Sequence, residues 1–470
     1  MADNESETVE RARVQVSKMR KRIREAIEAG RTYDAKDLAR KLFRSHAVKV
    51  VACHEALASR SAYERGRLPS LDTLVSRIGD FEGDDQAVRV IRQPKGGGRF
   101  RDTFDYAVLD RARQQWVKLS VELLTRPHPN QSGVTGSGPA AIMDRIRELV
   151  KSGTYRYAAE FDIKNCFQSI QNVDAIRAEW NLPNWAIQKI VTLKEKEDKG
   201  LIIDRKGRAP TSSSSSMGTL TTRGLPQGAS TSPLFAYSLN RPVLEALERE
   251  HGHEAVVFNH CDNFLVLGIS REAVERTHRT LTTLLAEQPV GPLALHIKTA
   301  PTPLGRGITF LGYRIKKSAG STIIGITAER KARFLQEVRA HLNSARGVAE
   351  GRGRNVHLEA LRQQVVGWVS SFSAAPNDLV TIIRTLDHLF ICMKENATVG
   401  ATMHQLARKV PTQSALDANL LPPSAPSRPR TVQVMRWASD ILDAPPRGFS
   451  IRQAKRNITL WWEARNRAAA

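Results

Sequence analysis

The stretch FNHCDNFLVLG, residues 258–268, restricts the fold and function of this chain more than any other segment. Apolar runs lie on both sides of a short polar centre, which is the pattern of two β-strands joined by a tight turn. Functional side chains are common at such tips, because rigid strands hold an exposed loop in position. The pattern predicts a hairpin that presents Asp262 at its tip, with Asn263 beside it.

A second carboxylate stands at the end of another predicted strand, in YRYAAEFDIKNCFQSI, residues 155–170. Apolar residues alternate there with Ala158, Glu160 and Asp162, which indicates a strand that ends near Asp162. A carboxylate among apolar neighbours is costly unless a cation lies against it. A metal ion would meet that need, and so would Lys164 or an arginine in a structural ion pair.

The charge of the chain indicates a polyanionic partner. Lys and Arg number 71 against 48 acidic residues, which gives a formal net charge of +23 and a pI near 10.2. An excess of this size is typical of nucleic-acid binding, although a generally basic surface would give the same count. Two predicted basic helices, residues 9–29 and 34–58, carry part of this charge and are expected to contact nucleic acid.

The remaining composition indicates the cellular setting. No run of 18 or more apolar residues is present and the N-terminus is acidic, so neither a membrane span nor a signal peptide is predicted. The four cysteines form no CxxC pair, which gives no support for a zinc module or a disulfide framework. We therefore expect an intracellular, cytoplasmic protein.

Residues 89–115 are predicted to form a short strand, a glycine-rich turn and an Arg-rich helix. Bare backbone amides beside Lys95, Arg99 and Arg101 suit phosphate, whereas a plain flexible turn is the alternative.

The segment RGLPQGASTSPL, residues 223–234, predicts a loop followed by a helix. Ser232 and Pro233 suit the N-cap and first helical position. The loop before them presents Gln227 and bare amides over the start of the helix. His251 and His253, after the helix, are expected in an exposed loop.

Taken in chain order, these pieces resemble the sequence blocks of reverse transcriptases, above all the bacterial group that includes group II intron, retron and defence-associated enzymes. The resemblance covers roughly residues 10–370, and seven blocks in order are far more specific than one. The blocks are VIRQPKGGGRFR, PNQSGVTGSGPAAIMDRIRELVKSG, AEFDIKNCF, GLPQGASTSPL, NHCDNFLVLG, LHIKT and FLGYRI.

The resemblance implies an α+β fold of the right-hand polymerase type, with fingers, a palm built on an antiparallel sheet, a helical thumb and a helical N-terminal extension. The expected divisions are a basic helical extension over 1–85, fingers and palm over 86–320, a helical thumb over 321–420, and a Pro-rich linker with a basic helical tail over 421–470.

The implied activity is DNA synthesis on an RNA template, from deoxynucleotides, with two Mg²⁺ ions or Mn²⁺ in their place. Joining nucleotides in this way uses two metal ions about 3.5–4 Å apart, held by convergent oxygen ligands. By the resemblance, the metals are held by Asp162, Asp262 and the Ile163 carbonyl, while Asn263 belongs to the catalytic hairpin. Lys298 is the candidate that protonates the leaving pyrophosphate.

The resemblance also implies a nucleotide site. Phe167 would exclude a ribose 2′-OH and Gln227 would contact the incoming sugar. The triphosphate would be held by Lys95, Arg99 and Arg101.

The hairpin departs from the family pattern at two positions. His260 stands where the family has an aromatic residue, and Asn263 where it has a second aspartate. The missing charge should weaken metal binding, but the Asp-Asn pair also resembles the Gly-Asp-Asn hairpin of some active negative-strand RNA virus polymerases. Two alternatives stay open: an RNA-binding scaffold with a silenced site, and a template-independent or protein-primed DNA polymerase.

We expect RNA, the DNA product and dNTPs as partners, and no membrane. No nuclease module is predicted after the thumb, which favours a stand-alone role in antiphage defence with a dedicated non-coding RNA over a role in a mobile intron. The template, the priming group and the oligomeric state are left open by the sequence.

Overall fold

The computed structural model describes residues 2–60, 67–81, 89–96, 99–133, 138–173, 180–192, 201–203, 224–319, 321–346 and parts of 361–386. The predicted linker and basic tail over 421–470 lie outside these residues. The chain divides into two compact units, Met1–Gly136 with Tyr157–Pro301 and Ser137–Arg156 with Thr302–Ala470. The expected four-part division stays a prediction.

The described residues form helices and strands with the following bounds. The helices are α1 (Ala2–Glu28), α2 (Thr32–Arg44), α3 (His46–Ala58), α4 (Leu71–Arg77), α5 (Val108–Val121), α6 (Pro139–Ser152), α7 (Cys166–Ser169), α8 (Asn184–Ala186), α9 (Ser232–His251), α10 (Arg271–Ala286) and α11 (Ala328–Arg346), with a π-helical segment over Ile187–Thr192. The strands are β1 (Arg89–Gly96), β2 (Arg99–Asp105), β3 (Gln131–Ser132), β4 (Tyr157–Ile163), β5 (Leu201–Ile203), β6 (Ala255–His260), β7 (Asn263–Gly268), β8 (Leu295–Pro303), β9 (Ile308–Phe310), β10 (Tyr313–Ser318) and β11 (Ser321–Ile326).

The N-terminal region consists of helices that bury one apolar face, as the helical spacing predicts. On α1, Val9, Val16 and Ile23 are buried. The single helix predicted over 34–58 is wrong, because the chain is extended at Ser45 between α2 and α3. The Ser45 side chain accepts a hydrogen bond from the Val48 N–H at 3.3 Å, which caps α3 and starts a new helix.

The glycine-rich segment forms a hairpin. Strands β1 and β2 are antiparallel, β1 also pairs with β5 in parallel, and the sheet order is β2-β1-β5. The predicted strand, turn and helix therefore gain a second strand, β2, before α5. The alternation that would have indicated β2 is hidden by charged residues at three of its first four positions, in RFRD.

The palm sheet is the centre of the first unit. Its order is β3-β6-β7-β4-β8, with β6–β7 and β7–β4 antiparallel and the short β3 parallel to β6. Residues of β4 and β7 such as Phe161 and Phe264 are almost fully buried, and they belong to one apolar core with residues of α9 and α10. The predicted α+β fold with an antiparallel palm sheet is confirmed.

The second unit contains α6, α11 and the antiparallel sheet β11-β10-β9. The Tyr313 hydroxyl of β10 donates to the Ser371 carbonyl at 2.6 Å, and Asp378 accepts from the Ile326 N–H at 2.5 Å. These bonds join the sheet to helical residues over 367–379.

Two local predictions near α9 need correction. The N-cap of α9 is Thr231, one residue before the predicted Ser232, because the Ser232 hydroxyl donates to the Pro226 carbonyl at 2.8 Å. His251 is the last residue of α9 and is buried, where its ring bonds to Glu254 and Thr280, while His253 is exposed as predicted. Among the described residues, no helix is long and apolar enough to cross a membrane.

Candidate active site

The tip of the β6–β7 hairpin is a two-residue turn, Cys261-Asp262, between the paired residues His260 and Asn263. Cys261 has a φ of 54°, in the left-handed region that is costly for a residue with a side chain. Two buried amides compensate, since Asn240 and Asn259 donate to the Cys261 carbonyl at 2.7 and 3.0 Å. Hydrogen bonds from these two buried side chains thus stabilise the turn that carries Asp262.

The two predicted carboxylates come together because β4 and β7 are neighbours. Asp162 lies directly opposite Asn263 in the antiparallel register. The Ile163 N–H donates to the Asp262 carbonyl at 2.8 Å. The backbones that carry both aspartates, 100 positions apart in the sequence, therefore meet at one end of the palm sheet.

The basic side chains that lie against Asp162 come from β8. His296 Nδ1 lies 3.1 Å from Asp162 Oδ1, and Lys298 Nζ lies 3.7 Å from Asp162 Oδ2. Lys164, which the sequence offered as an ion-pair partner, is exposed, and the structure brings β8 to this carboxylate instead. The sequence resemblance singled out Lys298, but His296, two residues before it on the same strand, was missed.

Glu160 is a further acidic residue that the sequence analysis did not select. It precedes Asp162 by two positions, so both side chains project from the same face of β4. Burial raises its pKa to about 7, although the charge of Lys298, whose Nζ is 3.9 Å away, opposes this. The signal for it was present in the strand alternation, which placed Glu160 and Asp162 on one face.

Asn263 links the site through both ends of its amide. Its Nδ2 donates to Asp262 Oδ1 at 2.7 Å, and its Oδ1 accepts from Lys298 Nζ at 2.5 Å. An aspartate here would present two acceptors, so only the amide can donate to Asp262. The residue that departs from the family pattern is therefore fully hydrogen-bonded in this arrangement.

The other departure, His260, points its Nδ1 to the Ser132 hydroxyl at 3.0 Å. Burial lowers the pKa of the His260 ring. Beside it, the Tyr237 hydroxyl lies 3.1 Å from Cys261 Sγ, and burial raises the pKa of that thiol to about 11. These groups are neutral neighbours of the carboxylates rather than further charges.

The Pro-Gln-Gly loop lies between the β4–α7 segment and β2. The Leu225 N–H donates to the Phe167 carbonyl at 2.6 Å, and the Gln227 carbonyl accepts from the Phe104 N–H at 2.7 Å. Phe167 is half-buried and packs at the edge of the palm core. The structure thus brings the loop that carries Gln227 against the backbone of Phe167.

The three predicted triphosphate ligands lie on the fingers hairpin. Lys95 is in β1, and Arg99 and Arg101 are in β2, where their backbones pair with Gly96 and Gln93. Their side chains lie outside the described part of the structure, so their role in phosphate binding stays a prediction.

The donors at this site fit a hard divalent cation. Within the described residues no group of three or more His, Cys, Asp and Glu has metal-binding geometry. Mg²⁺ does not need one, because it is commonly held by one or two carboxylates together with substrate phosphates and water. The carboxylates of Asp162 and Asp262 and the carbonyl of Ile163 are oxygen donors of this kind.

Comparison with known proteins identifies the domain. Residues 93–315 match the family model described as reverse transcriptase (RNA-dependent DNA polymerase). A search of curated proteins found no match. The matched range contains both aspartates, the Pro-Gln-Gly loop and Lys298.

Solved structures that align with the chain include yeast telomerases. Apo telomerase from Candida tropicalis is 10% identical over 80% of this chain and 70% of its own, with a TM-score of 0.40. Telomerase from Candida albicans, in complex with a TWJ fragment of telomeric RNA, is 12% identical over 79% of this chain and 66% of its own, with a TM-score of 0.37. A C. tropicalis telomerase truncated from its C-terminal domain aligns over 51% of this chain and 55% of its own, at 13% identity and a TM-score of 0.34.

These alignments span from 55% to 70% of the telomerase chains, and TM-scores below 0.5 add nothing to the assignment. The assignment rests on the family model together with the palm geometry. Residues 93–315 form a reverse transcriptase (RNA-dependent DNA polymerase) domain of the right-hand polymerase fold.

Proposed function

We propose that this chain makes DNA on an RNA template by two-metal nucleotidyl transfer, with Asp162 and Asp262 as the metal-holding carboxylates. The observation that carries the proposal is the pairing of β4 with β7 at one end of the palm sheet, where Asp162 lies opposite Asn263 and Ile163 bonds to Asp262. Two divalent ions bound there, Mg²⁺ or Mn²⁺, would activate the primer 3′-OH and neutralise the triphosphate.

Other residues take roles around this pair. Lys298 is proposed to donate a proton to the leaving pyrophosphate, since its ammonium already lies within 4 Å of Asp162 and Asn263. Phe167 would exclude a 2′-OH, and Gln227 would contact the sugar. The triphosphate ligands are Lys95, Arg99 and Arg101.

Asn263 is proposed to be compatible with catalysis. Its amide holds the Asp262 carboxylate through Nδ2 and the Lys298 ammonium through Oδ1. Two carboxylates remain, which is within the number that Mg²⁺ commonly uses.

The same contacts favour a second candidate, an RNA-binding scaffold without catalysis. His296 and Lys298 lie against Asp162, and Asn263 occupies an oxygen of Asp262. If these partners are not displaced, the carboxylates stay unavailable to metal. The basic net charge would still support RNA binding.

We further propose a cytoplasmic role in bacterial antiphage defence with a non-coding RNA as partner. The likeness of the sequence blocks to the bacterial group supports it, by analogy rather than by chemistry of the site.

The test is incorporation of radiolabelled dNTPs by purified protein with its co-purifying RNA, in Mg²⁺, beside Asp162→Ala, Asp262→Ala and Asn263→Asp variants. We expect wild type to make DNA unless its RNA is first destroyed with RNase, and both aspartate variants to make none while melting like wild type. Synthesis by Asn263→Asp alone would instead identify a silenced polymerase whose present function is binding. DNA synthesis that continues when the RNA is destroyed with RNase before dNTPs are added would point to synthesis without an RNA template.

A further inference from the structure

Gly224 lies directly beneath the backbone of Phe167. A Cβ atom on Gly224 would come within 2.1 Å of the Phe167 carbonyl oxygen and 2.7 Å of Gln168 Cα. Gly224 also has a φ of +97°, which residues with side chains rarely adopt. Both the space and the backbone conformation at this position therefore require glycine.

This close approach brings the next residue into hydrogen-bonding distance. The Leu225 N–H donates to the Phe167 carbonyl at 2.6 Å, one residue after the glycine. Phe167 itself lies in α7, which has only four residues and begins after Asn165 at a φ of 47°. So short a helix has few internal hydrogen bonds to fix its position, and the loop supplies an external one.

The loop is itself anchored on its far side. The Gln227 carbonyl accepts from the Phe104 N–H at 2.7 Å, and the Ser230 N–H donates to the Gln114 side chain at 3.1 Å. These hydrogen bonds hold the loop in place on the side away from Phe167. We therefore expect a side chain at position 224 to displace Phe167 rather than the loop.

We infer that Gly224 is a positioning residue for sugar selection: it seats the loop against the Phe167 backbone and so fixes how far the Phe167 ring reaches toward the sugar of the incoming nucleotide. The inference rests on the proposed function and on Phe167 as the group that excludes a 2′-OH. Displacement in either direction lowers selectivity, because withdrawal of the ring admits ribose and further advance obstructs deoxyribose too.

The experiment compares kcat/KM for a dNTP and for the matching rNTP on a defined RNA template and DNA primer. The ratio of the two is independent of the fraction of active enzyme, so partial loss of folded protein does not affect it. We expect Gly224→Ala to lower the ratio about tenfold, the lower end of what one methyl-sized change in a site commonly gives.

The matched control is Gly133→Ala. Gly133 is another palm glycine with positive φ, +106°, and an added Cβ would meet the Tyr237 hydroxyl rather than Phe167. We expect Gly133→Ala to lower both kcat/KM values together and to leave their ratio within about twofold of wild type. The reason is that a Cβ at Gly224 meets Phe167, the sugar-selecting residue, whereas a Cβ at Gly133 does not. Equal changes of the ratio in both variants would overturn the inference.

A double-mutant cycle separates positioning from a general loop defect. In a Phe167→Ala background the ring is absent, so adding Gly224→Ala should leave the already reduced ratio unchanged. A further tenfold fall in that background would show that Gly224 acts without Phe167, and would overturn the inference.

The remaining outcomes are also decisive. If Gly224→Ala does not fold, Leu225→Pro removes the same N–H donor without adding an atom at position 224 and should lower the ratio. Failure of both variants to fold would make the contact a requirement of the fold and overturn the inference. If wild type makes no DNA, the proposed function fails, which is distinct from wild type making DNA with an unchanged ratio in Gly224→Ala.

Discussion

Replacing Asn263 with aspartate tests how the palm tolerates one carboxylate fewer. The change removes the Nδ2 donor, 2.7 Å from Asp262 Oδ1, and places a second negative charge there. At about 4 Å and an effective dielectric near 20, two such charges repel by about 4 kcal/mol. Lys298, already bonded to this side chain, gains an attraction of similar size and opposite sign.

The two Coulomb contributions largely cancel, which leaves the lost hydrogen bond to a charged acceptor, about 1.5–3 kcal/mol. We therefore expect Asn263→Asp to be less stable than wild type by this amount in EDTA, measured by urea unfolding. With Mg²⁺ the order should reverse, because the added carboxylate gains a cation. The Mg²⁺ concentration for half-maximal DNA synthesis should fall about tenfold, equivalent to about 1.4 kcal/mol.

The control is Asn184→Asp, the same chemical change at an exposed residue of α8, for which a change within about 0.5 kcal/mol is expected. The reasoning is refuted if Asn263→Asp is as stable as wild type in EDTA and its Mg²⁺ dependence is unchanged. That result would mean that the Asn263 amide does not stabilise Asp262, and that its lack of a negative charge does not affect Mg²⁺ binding.

Three further predictions concern positions that support the site or the fold. Asn240→Ala removes the amide that donates to the Cys261 carbonyl at 2.7 Å; we expect a loss of about 1–3 kcal/mol in urea unfolding and a higher Mg²⁺ requirement, and an unchanged Mg²⁺ titration would contradict this. The hydrogen bonds from Arg276 hold the pKa of Glu254 down to about 2, below its usual 4.5; its contribution to stability is present above pH 4.5 and lost as the pH falls through 2. Glu254→Gln should therefore lower the Tm at pH 7, and the difference in Tm from wild type should become smaller below pH 4.5. A difference in Tm that does not change with pH would disprove the link between the pKa of Glu254 and stability. Ser45→Ala should cost about 1 kcal/mol through loss of the α3 cap, with Ser45→Asp as the variant that keeps it.

Much of the palm could be predicted because its signals are local. The β6–β7 hairpin and the strand β4 can each be predicted from a short segment. In each case the alternation and the turn residues lie within about a dozen consecutive positions. Pairing of the two was then the natural way to bring Asp162 and Asp262 together. The order of the seven blocks, rather than any one of them, carried the resemblance to reverse transcriptases.

What the sequence could not give depends on contacts between distant segments. His296 belongs to the site because β8 and β4 are neighbours, and no local pattern records that neighbour relation. The two-residue β3 is too short to show any periodicity. His251 looked like part of an exposed loop, but α9 extends through it and α10 covers it.

The break at Ser45 shows the opposite case, in which a local signal was present but was outweighed. The apolar spacing continues from α2 into α3, so periodicity alone merges them. The capping serine, three residues before the N–H that it accepts from, was the better guide.

The parallel pairing of β3 with β6 also bears on how the chain is made. Gln131 pairs with Asn259, and Asp162 with Asn263, so the palm strands are joined across 100 or more residues of intervening chain. A ribosome adds about 5–20 residues per second, so at least about 5–20 s pass between synthesis of β4 and synthesis of its partner β7. During this interval β4, with its apolar faces uncovered, has no strand to pair with. The N-terminal helices, whose contacts are close in sequence, need no such delay. Newly made chains should therefore depend on chaperones until residue 268 has emerged, and a stall between residues 163 and 255 should leave an aggregation-prone nascent chain.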